Sequence, residues 1–407
     1  MSPVEALRFA LRSLRERPAT SLLTGISIAL GVALALVVML LERQARGAFE
    51  GTAVGVEVLV AGDKGSRIDA VLGALFHVGR APGRVSLSYA EELAADERVA
   101  YAIPIALGDR YRGAPVVGTT AQFFTRFQPR PGVSFGVEAS ALGPGKAVAG
   151  SEAARLCGLR VGDEFFPSHT GIEDDHTHRH ETFRVVAVAR PTGTAHDRAI
   201  YIDLKDFLHL KGHEGLDREE GGGEAVSAVL LKTAAASPLI VEPLLKEIND
   251  GTEAQAIRPM QVVAELFELV GEAQRILSWV AALVVAVAAL SVSVAITSAM
   301  AGRRREIALF RAVGAPRRAL FAMVICEAAL LCLFGCIAGI ALGHGGAALA
   351  APLVEARTGV RLPGFLWLGV EPWLLLALTG AGCAAGLLPA LHAYRVDVAR
   401  GLNVSAG

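Results

Sequence analysis

The side chains with the most chemical potential are crowded into one stretch, His169-Thr170-Gly171-Ile172-Glu173-Asp174-Asp175-His176-Thr177-His178-Arg179-His180. It holds four of the ten histidines, beside three acids. Neutral imidazole nitrogens and carboxylate oxygens are ligands for zinc and similar divalent ions. On a β-hairpin, His176, His178 and His180 would fall on one face, because successive strand side chains point to opposite sides. His169, Asp174 and Asp175 complete the candidate metal-ligating set. A flexible His-rich loop can also hold an ion without fixed geometry. The plainer reading is a solvated polar loop between two strands, and no second cluster or neighbouring Cys supports a built site.

Other chemistries find less footing. No G-x-x-x-x-G-K-[ST] phosphate loop is present. The nearest fragment, Gly143-Pro144-Gly145-Lys146-Ala147, lacks the hydroxyl that would hold magnesium. Nothing resembles a nucleophile elbow, a paired-carboxylate site or a haem motif. Of the five cysteines, Cys326, Cys332, Cys336 and Cys383 fall in apolar runs, where Cys acts as a small apolar filler. Cys157 stands alone in the middle of the chain, so that region must fold without an internal disulfide.

The elements that must position these residues follow from composition. The 407 residues are 53% hydrophobic and 19% charged, with mean hydropathy +0.46. Soluble domains run about 45–50% apolar and about 25% charged. A formal net charge of −1 lacks the basic excess of a nucleic-acid-binding protein. The apolar residues are concentrated in four runs, at 20–41, 277–301, 319–352 and 373–391, each near or above the length of about 20 residues that crosses a bilayer. The third run contains Glu327 and His344. The first is too long for a signal-peptide core, about 7–15 residues, and reads as an uncleaved anchor. The expected fold is an α-helical membrane protein: four transmembrane helices plus a large mixed α/β extracytoplasmic domain between the first and second.

Arginines set the orientation. Arg8, Arg12, Arg15 and Arg17 precede the first run, Arg303, Arg304, Arg305, Arg311, Arg317 and Arg318 lie between the second and third, and Arg395 and Arg400 follow the fourth. These segments are expected in the cytoplasm, with both termini. Residues 42–270 hold 32 acids against 24 bases, which fits an exported block. The expected division is a cytoplasmic amphipathic helix at 1–18, spans at 19–43, 271–301, 319–352 and 372–393, the extracytoplasmic domain at 44–270, a cytoplasmic loop at 302–318, a short external loop at 353–371 and a cytoplasmic tail at 394–407. At the N-terminus, Leu7, Ala10, Leu11 and Leu14 share one helical face and Arg8, Arg12 and Arg15 another, the pattern of an interfacial helix that Pro18 ends.

Within the spans, Gly335, Gly339 and Gly343 form a double G-x-x-x-G, and Gly382 and Gly386 a single one. Such faces let helix backbones approach closely. Glu327 lies roughly two turns into its helix, too shallow for a proton pathway. In the middle block, 56–60, 183–188, 199–202 and 226–231 read as strands and 67–78 as a helix. Ser88 is a candidate N-cap before Glu91 and Glu92. Residues 252–276 have helical spacing leading into the second span.

The loop between the second and third runs reads Arg303-Arg304-Arg305-Glu306-Ile307-Ala308-Leu309-Phe310-Arg311-Ala312-Val313-Gly314-Ala315. It resembles the R-x-E-I-x-x-x-R-A-x-G-A signature of the MacB/FtsX-type ABC transporter permeases, the family of lipoprotein-release and macrolide-export-like proteins. Glu327 stands where that family carries a Glu, and Pro389-Ala390-Leu391-His392-Ala393-Tyr394-Arg395 resembles its closing stretch. The order of spans and exported domain resembles the family over the whole chain. The residues themselves suit a short helix: Ile307, Leu309, Phe310 and Val313 give it an apolar face, and Gly314 with Pro316 can end it. The resemblance implies a coupling helix that seats on a separate ATPase subunit, carried by Arg303, Arg304, Arg305, Glu306, Ile307, Phe310, Arg311, Gly314 and Ala315. The bland alternative is that these arginines only set topology.

The resemblance further implies a non-catalytic subunit in a bacterial inner membrane, two copies of an ABC ATPase binding ATP and magnesium, and a second permease protomer as homo- or heterodimer. A periplasmic or lipoprotein partner and membrane lipids complete the expected contacts, with no nucleic acid. Three functions are compatible: a transport permease moving a substrate on the outer side of the inner membrane, a mechanotransmission scaffold that activates an extracytoplasmic hydrolase, and a metal-responsive receptor using the His-rich loop. The size of the exported block favours the first.

Overall fold

The computed structural model describes residues 3–16, 18–62, 65–79, 83–168, 181–210, 224–235, 237–302, 316–358 and 366–394. The chain divides into two compact units, Gln44–Val270 with Pro352–Leu362, and Met1–Arg43 with Gly271–Ala351 and Pro363–Gly407.

The first unit is mixed α/β. Among the described residues its main sheet runs in the order β11 (Gln255–Ile257), β1 (Val58–Ala61), β10 (Ala228–Thr233), β3 (Val99–Tyr111), β4 (Ala114–Thr119), β8 (Ile200–Asp203), β5 (Lys146–Ala149), β7 (Phe183–Val188) and β6 (Glu164–Phe165). A second, two-stranded sheet pairs β2 (Val85–Ser86) with β9 (Ala225–Val226). β4 with β8 and β5 with β7 are parallel, and the other pairs of the main sheet are antiparallel. Every residue of β1 is buried, as in a strand covered on both faces. Val58, Val60, Val116, Val185, Ile200, Ile202, Val229 and Leu231 contribute alternate positions to one core. β3 turns into β4 through Arg112 and Gly113, both at positive φ, +46° and +87°. Two positive φ values in succession match the twist of a tight hairpin.

The helices of this unit are α3 (Arg67–Phe76), α4 (Leu87–Ala95), α5 (Gln122–Thr125), α6 (Ser151–Cys157), α7 (Leu204–Leu208) and α8 (Pro238–Asp250). Several local expectations shift. The strand expected at 226–231 is split at Ser227 into β9, which pairs with β2, and β10, which pairs with β1 and β3; between them the Ser227 hydroxyl accepts from Leu107 N at 2.9 Å. The N-cap of α4 is Ser86 rather than Ser88, because the extended backbone of β2 ends at Ser86 and its hydroxyl accepts from Tyr89 N. α3 stops at Phe76, where His77 takes the left-handed conformation at φ +56°. Residues 255–257 form β11 instead of helix; pairing with β1 outweighs the helical spacing there.

The second unit is helical. It draws on α1 (Pro3–Glu16), α2 (Pro18–Ala53), α9 (Pro259–Gly302), α10 (Arg317–Thr358) and α11 (Glu371–Tyr394). Among the described residues three helices are long and apolar enough to cross a membrane, Pro18–Ala53, Pro259–Ser291 and Phe321–Leu353, by length and composition. The apolar part of α11, Glu371–Leu387, is shorter. α2 and α9 are each a single helix whose residues are shared between the units, at the junctions 43/44 and 270/271.

Candidate coupling site

α1 is described to Glu16 and α2 from Pro18, which has no backbone N–H to donate. α1 buries Ala10 and Ser13. The Ser13 hydroxyl donates to Glu327 Oε1 at 2.9 Å, and both side chains are buried. An acid inside a membrane segment normally faces a polar partner; here that partner comes from the amphipathic helix. Glu327 lies ten residues beyond the start of α10 at Arg317, about 15 Å at 1.5 Å per residue.

The glycine faces lie where helices meet. A Cβ on Gly335 would stand 2.8 Å from Ile28 Cβ, one on Gly339 2.6 Å from Val32 Cβ, and one on Gly343 2.8 Å from Leu36 Cδ2. Positions 335, 339 and 343 on α10 thus oppose 28, 32 and 36 on α2, each series at one-turn spacing. On the other side, Gly382 abuts Cys332 and Gly386 abuts Ala328, bringing α11 against α10. His344 Nε2 lies 3.1 Å from Glu371 Oε1, which also accepts from Leu368 N at 2.9 Å. That carboxylate caps the start of α11 and holds it to α10.

In the α/β unit, the end of α2 is held by groups that sequence reading did not single out. Arg130 donates through Nε to Gly51 O at 3.3 Å and through Nη2 to Gly193 O at 2.6 Å. Ala195 N donates to Thr52 Oγ1 at 3.1 Å. Phe49 stacks on Phe76 at 4.4 Å and meets Phe267 of α9 edge-on at 5.7 Å. Behind these contacts stands an aromatic cluster of Phe123, Phe124, Phe127, Phe135 and Tyr201, with the His196 ring 5.7 Å from Phe123. The run of phenylalanines at 123, 124, 127 and 135 is the signal that could have revealed it.

Two imidazoles in this region are kept neutral. Burial lowers His196 to about 4, and its Nε2 has no hydrogen-bond partner among the described residues. Burial, with the charges of His196, Arg110 and Arg198, lowers His77 to about 3. His77 is partly exposed as a residue, yet both its ring nitrogens are inaccessible and have no hydrogen-bond partner among the described residues. The carboxylate of Asp197 is satisfied by Thr192 N at 2.9 Å, Thr192 Oγ1 at 2.8 Å and Gly193 N at 2.8 Å, which fixes the loop that receives Arg130.

Arg303, Arg304, Arg305, Glu306, Ile307, Phe310, Arg311, Gly314 and Ala315 lie outside the described residues. So do His169, Asp174, Asp175, His176, His178 and His180. The structure fixes the two ends of the His-rich stretch: Ser168 bridges Arg110 of β3, and Phe183 opens β7. Among the described residues no group of three His, Cys, Asp or Glu side chains could hold a metal ion.

A helical membrane protein carrying an α/β domain between its first and second long apolar helices is thus defined. Two family models match it. The MacB-like periplasmic core domain covers 21–246, over half of the chain, and the FtsX-like permease C-terminal domain covers 278–398. The chain belongs to the MacB/FtsX-type ABC transporter permease family. Among solved structures, the periplasmic region of MacB from Actinobacillus actinomycetemcomitans aligns at 12% identity and TM-score 0.33, over 53% of this chain and 94% of its own. The extracellular domain of the noncanonic ABC-type transporter YknZ from Gram-positive bacteria aligns at 13% identity and TM-score 0.29, over 50% of this chain and 98% of its own. No curated protein sequence matches. The assignment rests on the family models.

Proposed function

We propose that this chain is the membrane subunit of an ATP-driven transporter of the bacterial inner membrane, working as a dimer of permeases with two copies of a separate ATPase. In this reading there are four spans, α11 included, with both termini and residues 302–318 in the cytoplasm and the α/β domain outside, an orientation supported by the arginines of those segments. The loop residues Glu306 and Arg311 seat on the ATPase, and ATP binding there changes the shape of the external domain. A substrate already on the outer side of the membrane is moved by that change, as in export or lipoprotein release.

The observation that carries the reading is the pair of family matches, one over each end of the architecture. Helical continuity supports the mechanics, because α2 and α9 run without a break past residues 43 and 270. A stiff helix transmits displacement where a loop would absorb it. Arg130 and the Thr52 hydroxyl grip the far end of α2, so a shift of that helix would be felt by the loop at 192–198.

Affinity purification of the tagged full-length chain from native membranes, with mass spectrometry, tests this reading. An ATP-binding cassette subunit should co-purify, and Glu306→Ala or Arg311→Ala should insert normally yet lower the ATPase rate of the complex. If no ATPase is recovered with intact chain, or both variants leave assembly and rate unchanged, the coupling assignment fails. Recovery of an external hydrolase in place of a cargo would select mechanotransmission.

A further inference from the structure

An apolar groove of about 620 Å³ lies in the helical unit, lined by α1, the first half of α2 and α10. Leu14, Ile26, Phe334 and Ala338 are among its walls, and among the described residues Arg15 is its one charged lining residue, at the end beside Pro18. The α2 wall extends from Pro18 to Leu30, which is about 18 Å at 1.5 Å per residue. Half of a bilayer's hydrocarbon core is about 15 Å. The groove is therefore about one leaflet long, with a cation at its interfacial end.

Its floor is recessed at Gly25, where an added Cβ would meet nothing within 4 Å. Gly31 and Gly335, by contrast, have neighbours within 3.1 Å and 2.8 Å of such a Cβ. The Cβ direction of Gly25 is thus open, although its carbonyl oxygen lies beside α10, 3.3 Å from where a Cβ on Gly335 would stand. Arg15 is exposed, and no carboxylate among the described residues pairs with it, whereas Arg12 on the same helix pairs with Glu16 at 3.3 Å.

From this geometry we infer that the groove is a binding site for an anionic phospholipid of the leaflet next to the N-terminus. One acyl chain fills the slot over Gly25 and Ala338, and the phosphate is held by the Arg15 guanidinium through charge-assisted hydrogen bonds. A lipid fits better than a helix of a second copy, because an apolar helix would leave Arg15 without an anion. The bound lipid would bridge α1 to α10 beside the Ser13–Glu327 hydrogen bond, and so complete the packing of the amphipathic helix. The inference goes beyond the permease reading and requires only that α2 and α10 span a bilayer.

Native mass spectrometry of the full-length chain tests it, after reconstitution in nanodiscs of equal phosphatidylglycerol and phosphatidylethanolamine and release into mild detergent. Wild type should retain phosphatidylglycerol in preference to phosphatidylethanolamine. Gly25→Phe, and from the opposite wall Ala338→Phe, should each abolish retention while elution and melting in detergent stay native. Arg15→Gln should keep a lipid but weaken the anionic preference about fivefold, the value of one interfacial cation. Equal phosphatidylglycerol retention by wild type and both folded Phe variants would overturn the proposal. So would an unchanged preference in Arg15→Gln, or loss of a dimer in place of lipid when Gly25 is filled. If one Phe variant misfolds, the other decides.

Discussion

The α/β unit and the helical unit hold together by different means. In the α/β unit, large side chains are removed from water: Phe123, Phe127, Phe135, Phe165, Phe207 and Tyr201 are each less than 2% exposed. The helical unit keeps much of its apolar surface outside. Leu23, Trp279, Leu283, Leu290 and Trp373 are all more than 60% exposed. Its buried contacts are narrow seams in which Gly, Ala and Cys of one helix face Ile28, Val32, Leu36 and Leu40 of another or one another, joined by hydrogen bonds such as Ser13 to Glu327 and His344 to Glu371. Water rewards burial of apolar area, whereas lipid does not distinguish a leucine from itself, so helices there gain only from close approach and satisfied polar groups. The same residue type therefore means different things in the two units: an exposed leucine such as Leu239 stands singly on the α/β unit, whereas those of the helical unit join into continuous apolar faces.

This contrast can be broken at several points. The largest effect should come from removing atoms in the α/β unit: Phe123→Ala takes out the ring at the centre of the aromatic cluster and should cost about 3–5 kcal/mol, read as a lower unfolding midpoint. Retention of native stability would mean that the cluster is not the core of that region.

Acid should act on the same place. His77 and His196 have folded values of about 3 and about 4, below the ordinary 6.5. Their neutral, buried state therefore contributes fully above pH 6.5 and is lost as pH falls toward 4. Between pH 7 and pH 5 each should remove about 2 kcal/mol of stability. His196→Gln should flatten that dependence, measured by melting of the full chain across pH; a flat wild-type profile would contradict the burial of both rings.

The smallest of the three effects belongs to the helical unit, and comes from adding an atom. Gly339→Ala places a methyl against Val32 and Ala29 O, which should cost about 1–3 kcal/mol. Thermal inactivation in detergent should reveal it, while Gly25→Ala, with open space around it, should be neutral. Equal tolerance at both positions would show that the glycine seam is not tightly packed.

How much was legible in the sequence differs between the units for the same reason. Long apolar runs, the break at Pro18 and the one-turn spacing of Gly335, Gly339 and Gly343 are properties of neighbouring residues, so they can be read along the chain. The coupling loop and the His-rich stretch were legible only as patterns of residue type, and both fall outside the described residues. Strand 183–188 could be read from its own alternation. β11 could not, because 255–257 is a strand only through its pairing with β1, some two hundred residues away.

The sequence by itself determined the class of protein: the order of apolar runs and the less apolar block between the first two, and the arginine-rich signature of its family. Local periodicity and composition suffice for these, since they depend on the solvent each segment can tolerate. Only the tertiary structure decided that Ser13 meets Glu327, that Arg130 spans Gly51 and Gly193, that ring nitrogens of His77 and His196 are buried, and that α1, α2 and α10 enclose a groove ending at Arg15. Each of these joins residues remote in the chain, and their proximity depends on how whole elements pack.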